Sequence, residues 1–266
     1  MHLSALYRYP LKSARGESLQ RAQLDALGLA GDRRWMVVDA PRGRFLSQRQ
    51  LPQMARLQAR WQGSDLVLDA PGMSELTVAM PAVDAPLREV SVWDDSLSVP
   101  DAGEAAANWL SEWLGRPCRL VQVPEQRARQ VDTEYAQPGD KVGFADGFPF
   151  LLIGQGSLDD LCARVGRPLE MERFRPNLVV TGSEPYAEDG WKRIRIGSVE
   201  FRVAKPCSRC AIPTLDPLTG ERSPDHEPIA TLKTYRKGEG GVFFGQNLIA
   251  DGVGELAVGM PVEVLE

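Results

Sequence analysis

The chain has 266 residues, of which 43% are hydrophobic and 25% are charged, as in soluble globular proteins generally. Its 36 acidic and 31 basic residues give a formal charge of −5, which argues against general binding to nucleic acid or to a membrane surface. No apolar run approaches the roughly 18 residues of a membrane span, and residues 1–13 lack the apolar segment of a signal peptide. The few, mostly scattered cysteines predict a reduced protein in the cytoplasm.

Short β-strands are the main secondary-structure signal along the chain. Val, Ile and aromatic residues cluster in segments separated by Gly, Pro, Asp or Ser, a pattern typical of strands. The predicted strands are RWMVVDA, DLVLDA, REVSVWDD, CRLVQV, NLVVTG and RIRIGSVEFRV. In the last segment, Gly197 and Ser198 predict a II′ turn between two strands of alternating polarity. This spacing favours a barrel or a sandwich over a parallel α/β sheet.

Two helices are predicted between these strands. The first begins near Asp101, with Glu104 three residues later as in a capping box, and it ends at Gly115. Its apolar face is formed by Ala106, Trp109, Leu110, Trp113 and Leu114. The second helix begins at Ser157 and ends at Gly166.

Together these elements predict a fold that is mainly β with a few helices, an α+β protein. A domain boundary is expected after the first helix, near residue 122, because a polar stretch follows from Glu125 to Lys141. The chain would then consist of domains 1–122 and 123–266.

The most distinctive local motif is the cysteine pair Cys207 and Cys210 in the segment KPCSRCAIPTLDPLTG. Lys205 and Arg209 flank this pair, and neighbouring positive charge favours thiolate over thiol. A thiolate is both the nucleophilic and the metal-binding form of cysteine. A soft sulfur ligand beside an arginine suits a soft metal carried by an anionic cofactor.

Other functions of a CxxC pair have weaker support. A structural zinc site normally needs four ligands, and the remaining candidates, Cys118, Cys162, His2 and His226, are scattered along the chain. A thioredoxin-like dithiol usually lies at the start of a helix, whereas Pro213 disfavours a helix after the pair. Burial as an inert thiol is the expectation for Cys118 and Cys162, and it stays open for the pair.

Two segments near the amino terminus carry groups suited to an anion. In YPLKS, Lys12 and Ser13 offer an ammonium and a hydroxyl group, as phosphate sites do. In GDRRW, Arg33 and Arg34 would point to opposite faces at the start of a strand, so only one of them reaches a given site.

A third such segment is RFRPNLVV, in which Pro176 favours an extended Arg175 and so defines the directions of this guanidinium and of the Asn177 amide. An amide beside an arginine can hydrogen-bond to the donor–acceptor edge of a heterocycle, while the arginine binds a negative charge of the same ligand. Each cluster alone is more often a surface ion pair. Their occurrence together with the cysteine pair favours a shared anionic ligand.

These residues, in this order, resemble the MOSC family, named for the molybdenum cofactor sulfurase C-terminal domain, and within it the amidoxime-reducing proteins. YPLKS and GDRRW are similar to the N-terminal β-barrel domain of that family. The segments that are similar to its catalytic β-barrel domain are DGFPFLLI, RFRPNLVV, YAED with Trp191, CSRC with TLDPLTG, LKTYR and FFGQN. The resemblance covers nearly the whole chain. It implies two barrel-like domains and a molybdenum cofactor, a molybdopterin whose dithiolene sulfurs hold the metal and whose phosphate anchors it.

The resemblance also implies a role for each matching residue. Cys210 would be the protein thiolate on molybdenum, with Cys207 secondary. The residues expected to grip the phosphate are Lys12, Ser13 and Arg33. The residues expected to hold the pterin are Arg175, Asn177, Ser208 and Arg209, and Ser157 is a candidate whose surroundings match the family less closely.

The implied activity is the reduction of N-hydroxylated compounds such as amidoximes, hydroxylamines and N-hydroxylated bases, in which two electrons cleave the N–O bond. Asp216 is a candidate for assisting protonation, although an aspartate before proline is more often a turn residue. The chain has no C-x4-C-x2-C run of a fused [2Fe–2S] domain, so a separate iron–sulfur or flavin protein is expected to supply the electrons. The mitochondrial relatives' targeting segment is also missing, which favours a soluble bacterial protein of the cytoplasm.

Two other functions stay open from the sequence. One is sulfur transfer through a persulfide on Cys210 or Cys207, which makes little use of the remote cations. The other is a non-enzymatic carrier of the molybdenum cofactor, which needs the same binding residues without turnover.

Overall fold

Short strands and three α-helices make up the protein in the computed structural model, which describes residues 1–266. The strands up to residue 122 are β1 (His2–Arg8), β2 (Glu17–Leu19), β3 (Arg21–Asp25), β4 (Gly28–Leu29), β5 (Trp35–Asp39), β6 (Gln58–Gln62), β7 (Asp65–Asp69), β8 (Leu76–Val78), β9 (Leu87–Val92), β10 (Asp95–Pro100) and β11 (Cys118–Gln122). The later strands are β12 (Arg129–Gln130), β13 (Lys141–Val142), β14 (Phe150–Gly154), β15 (Leu178–Thr181), β16 (Arg193–Ile196), β17 (Val199–Ser208), β18 (Lys237–Gly238), β19 (Gly241–Ala250), β20 (Glu255–Ala257) and β21 (Val262–Val264). The helices are α1 (Glu104–Leu114), α2 (Gln155–Val165) and α3 (Ile229–Tyr235).

The largest sheet has nine strands in the order β2-β1-β15-β14-β19-β17-β16-β21, with β18 beside β19. Its neighbours are antiparallel except for β14 and β15, which run parallel and are connected through α2. The mainly β, α+β class is therefore confirmed. No continuous ladder closes the sheet into a barrel, because β21 has only three residues and approaches β1 through one isolated bridge, between His2 and Pro261.

The beginning and the end of the chain pack into one core. β1 pairs with β15 in the large sheet, and β3 pairs with β20 in a separate three-stranded sheet, so the first strands pack with the later half of the chain. Leu6 belongs to the apolar cluster of that sheet, whereas Leu11 belongs to a second cluster around Trp35 in the earlier half. The YPLKS segment thus passes from one core to the other, and Lys12 and Ser13 lie at their junction. The domain boundary near residue 122 stays a prediction.

All six predicted strand segments form strands, namely β5, β7, β9, β11, β15 and the hairpin of β16 and β17. In this hairpin, Ile196 pairs with Val199 across a two-residue turn. Gly197 has φ of +58° and Ser198 has no positive φ, as a II′ turn requires.

The predicted first helix is present, but its start differs from the prediction. α1 begins at Glu104 rather than at a capping box on Asp101. Asp101 instead accepts the N–H of Gly103 at 2.8 Å and forms an ion pair with Arg119, so its carboxylate shapes the turn before the helix. Gly115 ends the helix in the left-handed conformation, as predicted.

The second predicted helix, α2, starts two residues earlier than expected, with Gly154 before its first turn, and ends at Gly166 as predicted. The sequence reading missed α3, which has only seven residues. None of the three helices combines the length and the apolar character needed to cross a bilayer.

Candidate functional site

Side chains from widely separated segments line one cleft at the junction of the two cores. Its polar lining consists of Lys12, Ser13, Arg33, Ser47, Arg49, Asp146, Arg175, Asn177, Cys207, Ser208, Arg209, Cys210 and Asn247. Its apolar lining includes Phe45, Phe148, Phe150 and Ile212. Among the candidate residues from the sequence, only Ser157 and Asp216 lie elsewhere.

Backbone hydrogen bonds between distant segments build one end of the cleft. The N–H of Arg33 donates to the Tyr9 carbonyl and that of Lys12 to the Trp35 carbonyl, both at 2.8 Å, so YPLKS and GDRRW lie side by side. A Cβ at position 143 would lie 2.8 Å from the Arg33 carbonyl oxygen. The stretch between β13 and β14 can therefore approach Arg33 this closely only because residue 143 is glycine.

Lys12 is a buried cation at this end of the cleft, with 5% of its surface exposed. Its ammonium donates to the Phe144 carbonyl at 2.8 Å and to the Asp146 carboxylate at 2.6 Å. Burial lowers the pKa of Lys12, and the Asp146 charge opposes this shift. An ammonium has three donors, so one N–H remains for a ligand in the cleft.

Two arginines stack on one buried tyrosine beside Lys12. The guanidinium carbons of Arg33 and Arg175 lie 4.2 and 4.3 Å from the centroid of the Tyr9 ring, at cation–π distance. Arg33 also donates to Asp32 at 2.6 Å, and Arg175 donates to the Ala14 carbonyl at 2.6 Å. Burial and the nearby Arg33 lower the pKa of Arg175 to about 10. Arg175 therefore stays charged at neutral pH.

The backbone is left-handed at three non-glycine residues of the cleft, with φ of 65° at Ser13, 46° at Arg33 and 57° at Arg175. The extended conformation predicted for Arg175 is therefore wrong. This residue follows a 3-10 turn, Met171–Phe174, and its N–H donates to the Glu172 carbonyl at 3.1 Å. A proline disfavours the right-handed helical region for the residue before it, and here the left-handed region is adopted instead of the extended one. Such backbone strain clusters at functional sites.

Arg33 and Arg34 point to opposite sides, as expected at the start of a strand. Arg33 lines the cleft, whereas Arg34 is buried in an ion pair with Asp25. Only Arg33 is therefore available to a ligand in the cleft.

Asn177 holds the walls of the cleft together. Its Oδ1 accepts from Arg33 at 3.0 Å and from the N–H of Leu151 at 3.2 Å, and its Nδ2 donates to the Tyr7 carbonyl at 3.2 Å. Three of its four hydrogen-bonding positions are thus used within the protein. Asn177 positions the Arg33 guanidinium, and this differs from the heterocycle contact predicted from the sequence.

The two cysteines have different surroundings. Cys207 Sγ accepts a hydrogen bond from the Arg209 guanidinium at 3.0 Å, and the side chain packs against the apolar cluster under the cleft. Cys210 Sγ accepts only the N–H of Ile212, at 3.5 Å. Cys210 is therefore the less engaged of the two thiols that line the cleft.

The Arg209 guanidinium has protein partners for both of its amino groups but not for Nε. One amino group contacts Cys207 and the other donates to the Phe174 carbonyl at 2.7 Å, while Nε is buried without a protein partner. Lys205, predicted to act on the cysteine pair, lies instead over the Tyr135 ring at 4.1 Å from its centroid.

The cleft is strongly positive although the whole chain is acidic. Its cationic lining residues are Lys12, Arg33, Arg49, Arg175 and Arg209. Asp146 is the single carboxylate among the lining residues. This excess of positive charge suits a ligand with several negative charges.

Ser157 does not line the cleft, and its placement argues against the cofactor contact expected from the resemblance. It is fully buried in the first turn of α2. Its hydroxyl donates to the buried Glu188 carboxylate at 2.7 Å and accepts the N–H of Tyr186 at 2.7 Å. Glu188 also accepts the N–H of Gly154 at 3.0 Å, so this network ties the start of α2 to the neighbouring turn.

Ser157→Ala is therefore expected to destabilise the fold by about 1–3 kcal/mol, because it removes hydrogen bonds from a buried carboxylate and a partly buried N–H. Urea unfolding would measure this loss, with the exposed Ser64→Ala as control. A folded Ser157→Ala protein whose ligand binding in the cleft falls sharply would contradict this purely structural role.

Asp216 also lies outside the cleft, which argues against the proton-donating role considered for it. Its carboxylate accepts the N–H groups of Leu218 and Thr219 at 2.8 and 2.9 Å and pairs with Arg173. Burial raises the pKa of Asp216, but these hydrogen bonds and Arg173 outweigh it and lower the pKa below the usual value. Asp216 is a turn residue that stays ionised.

Sequence reasoning missed three residues around Lys12. Arg49 and Asp146 line the cleft, and the Trp93 indole N–H donates to Asp146 at 3.2 Å. Trp93 lies in the turn between β9 and β10, and the Arg49 guanidinium lies 4.4 Å from its ring centroid. The sequence holds no signal that brings residues 49, 93 and 146 together, although Asp146 belongs to the DGFPFLLI segment.

Comparison with known proteins identifies relatives over the whole chain. The model of the MOSC N-terminal beta barrel domain matches residues 1–117, and that of the MOSC domain matches residues 139–263. Mitochondrial amidoxime-reducing component 1 of Homo sapiens is 33% identical over 99% of this chain and 82% of its own length. Molybdenum cofactor sulfurase of Oryza sativa subsp. japonica is 31% identical over 92% of this chain and 32% of its own length. The chain therefore belongs to the MOSC-domain family that includes the mitochondrial amidoxime-reducing components.

Proposed function

We propose that the protein is a molybdenum-cofactor-dependent reductase of N-hydroxylated compounds. The observation that carries this proposal is the meeting of five cations and the Cys210 thiol in one cleft. A molybdopterin carries an anionic phosphate and needs a soft ligand for its metal, and the cleft offers partners for both. The names of relatives that are 33% and 34% identical over 99% of the chain support the substrate class.

The cleft also contains donors that an anion would satisfy. Arg209 Nε is buried without a protein partner, and an unsatisfied buried donor costs about 1–3 kcal/mol, or more when charged. Lys12 has a further N–H beyond its two hydrogen bonds. No three His, Cys, Asp or Glu side chains converge to hold a metal, so a metal at Cys210 would take its other ligands from a cofactor. These features fit a molybdopterin.

In this proposal each end of the cleft has its own role. Lys12, Ser13 and Arg33 would hold the phosphate, while Asn177 keeps Arg33 in place. The pterin would be held by Arg175, Ser208 and Arg209. A phosphomonoester carries nearly two negative charges, and each hydrogen bond to a charged group contributes about 1.5–3 kcal/mol. A few such bonds would retain the cofactor without a covalent link.

The molybdenum cofactor, when bound, supplies the two-electron chemistry that cleaves an N–O bond. The Cys210 thiolate would be the protein ligand of the metal, and the Ile212 N–H would stabilise its charge. In the overall reaction the N-hydroxylated substrate takes up two electrons and two protons, and the products are the corresponding N–H compound and water. A separate iron–sulfur or flavin protein would supply the electrons.

The test is the molybdenum and pterin content of protein made in a host that synthesises the cofactor. We expect close to one molybdenum per chain, and reduction of an amidoxime by an artificial electron donor. Folded protein with near-zero molybdenum would refute the proposal. Cyanide-releasable sulfur on such a protein would point to sulfur transfer, and full molybdenum without turnover would point to a cofactor carrier.

A further inference from the structure

The pairing of Lys12 with Asp146 has a consequence for any anion that enters the cleft. Asp146 is the only carboxylate of the lining, and its oxygen lies 2.6 Å from the buried ammonium. The Lys12 side chain is 6% exposed, whereas that of Asp146 is 68% exposed. The Lys12 ammonium therefore lies at the buried floor of the cleft, and the Asp146 carboxylate contacts it from the solvent-exposed side.

The tip of the segment that carries Asp146 is less tightly packed than its start. Phe144 is fully buried and its carbonyl accepts from Lys12, whereas Asp146 is exposed and a side chain at Gly147 would meet nothing within 4 Å. An exposed side chain without packing contacts can change its rotamer while the buried part of the segment stays in place.

Trp93 holds Asp146 in its present position. Its indole N–H donates to the same oxygen that contacts Lys12, at 3.2 Å. The ring packs against Phe45, with centroids 5.1 Å apart, and lies against the Arg49 guanidinium. Trp93 has φ of 56°, which is costly for a bulky residue and persists only where surrounding contacts impose it.

We propose that Asp146 is an exchangeable counterion for Lys12, latched by Trp93, and that an incoming phosphate group displaces it. The reason is electrostatic: a phosphate near Lys12 would meet the Asp146 carboxylate at short range, and like charges repel strongly in a partly desolvated cleft. Asp146 thus neutralises a buried cation before the ligand arrives, and it lowers the affinity for that ligand. This inference rests on the proposed function, since the cofactor would supply the phosphate group.

Inorganic phosphate tests the inference without any molybdenum. Asp146→Asn, which preserves the shape of the side chain, is expected to bind phosphate about tenfold more tightly than the original protein in calorimetric titrations at low salt. Asp94→Asn is the matched control, because Asp94 is exposed on the same hairpin turn as Trp93 and lies outside the cleft. Equal or weaker phosphate binding by Asp146→Asn would overturn the inference, whatever the molybdenum content.

The role of Trp93 has a separate test. Trp93→Phe keeps an aromatic ring but removes the N–H that holds Asp146, so a smaller gain in phosphate affinity is expected. In the Asp146→Asn background the same change should add nothing, because the two residues act through one contact. Independent, additive effects of the two substitutions would refute the latch.

Discussion

Replacing Cys210 by alanine is expected to abolish N–O reduction while leaving the fold intact. Cys210 Sγ has one weak contact within the protein, at 3.5 Å from the Ile212 nitrogen, so its removal costs little stability. As the proposed metal ligand, it has no substitute among the lining residues except Cys207, whose sulfur is engaged by Arg209. Since changes to groups that merely support a metal ligand cost about 10–100-fold, we expect a loss of at least 100-fold with an artificial electron donor.

Cys207→Ala is the matched control for this prediction. It removes a thiol from the same segment and from the same cleft. We expect it to keep most of the activity and to lose some stability, because Cys207 packs against the apolar cluster and accepts from Arg209. The opposite pattern, with activity lost in Cys207→Ala and kept in Cys210→Ala, would reverse the ligand assignment.

Lys12→Gln is expected to release the cofactor. The substitution removes a buried charge that would make one or two charge-assisted hydrogen bonds to the phosphate, each worth about 1.5–3 kcal/mol. Affinity should then fall by roughly 10- to 100-fold for each bond lost. Lys12→Gln also leaves Asp146 without its cation, so the net charge at the Lys12 end of the cleft becomes less favourable to an anion. The pterin and molybdenum content after gel filtration would measure the effect.

The control for Lys12→Gln is Lys233→Gln, an identical change at an exposed position on α3. Only Lys12→Gln should lose the cofactor, and adding Asp146→Asn should restore part of it. Full retention of cofactor by Lys12→Gln would show that the phosphate is held elsewhere in the cleft.

The functional residues were predictable to the extent that they lie in compact segments. Lys12, Arg33, Arg175 and Cys210 each occur in a short motif with its own chemical signature, and the cleft brings all four together. Arg49 was missed because it lies in a polar turn, and Asp146 was missed because an aspartate followed by glycine at the start of the DGFPFLLI segment is typical of a turn residue. Asp146 lies in the turn before β14, Arg49 lies after β5, and Trp93 of the hairpin of β9 and β10 contacts both, and no local pattern relates these three segments to one another.

Some sequence predictions were wrong at positions where tertiary contacts determine the local backbone conformation. The Arg175 backbone is left-handed because a turn and the Arg33 hydrogen bond hold it so, against the extended conformation that the following proline favours. The start of α2 also differs from the predicted Ser157: it lies at Gln155, where the distant Glu188 accepts the N–H of Gly154 and the hydroxyl of Ser157. In both cases a contact with a distant residue outweighs a local preference of about 1 kcal/mol.

The sequence by itself determined the strand-rich class, the hairpin at Gly197, the ends of the first two helices and the identity of most charged residues in the cleft, because these follow from local periodicity and backbone preferences. Only the tertiary structure decided which cations converge, which cysteine is less engaged by the protein, and that Asp146 faces Lys12. The convergence of the cations and the position of Asp146 depend on contacts between segments more than 100 residues apart, as for Lys12 and Asp146 at a separation of 134 and for Arg33 and Arg175 at 142. Local sequence preferences carry no information about such distances.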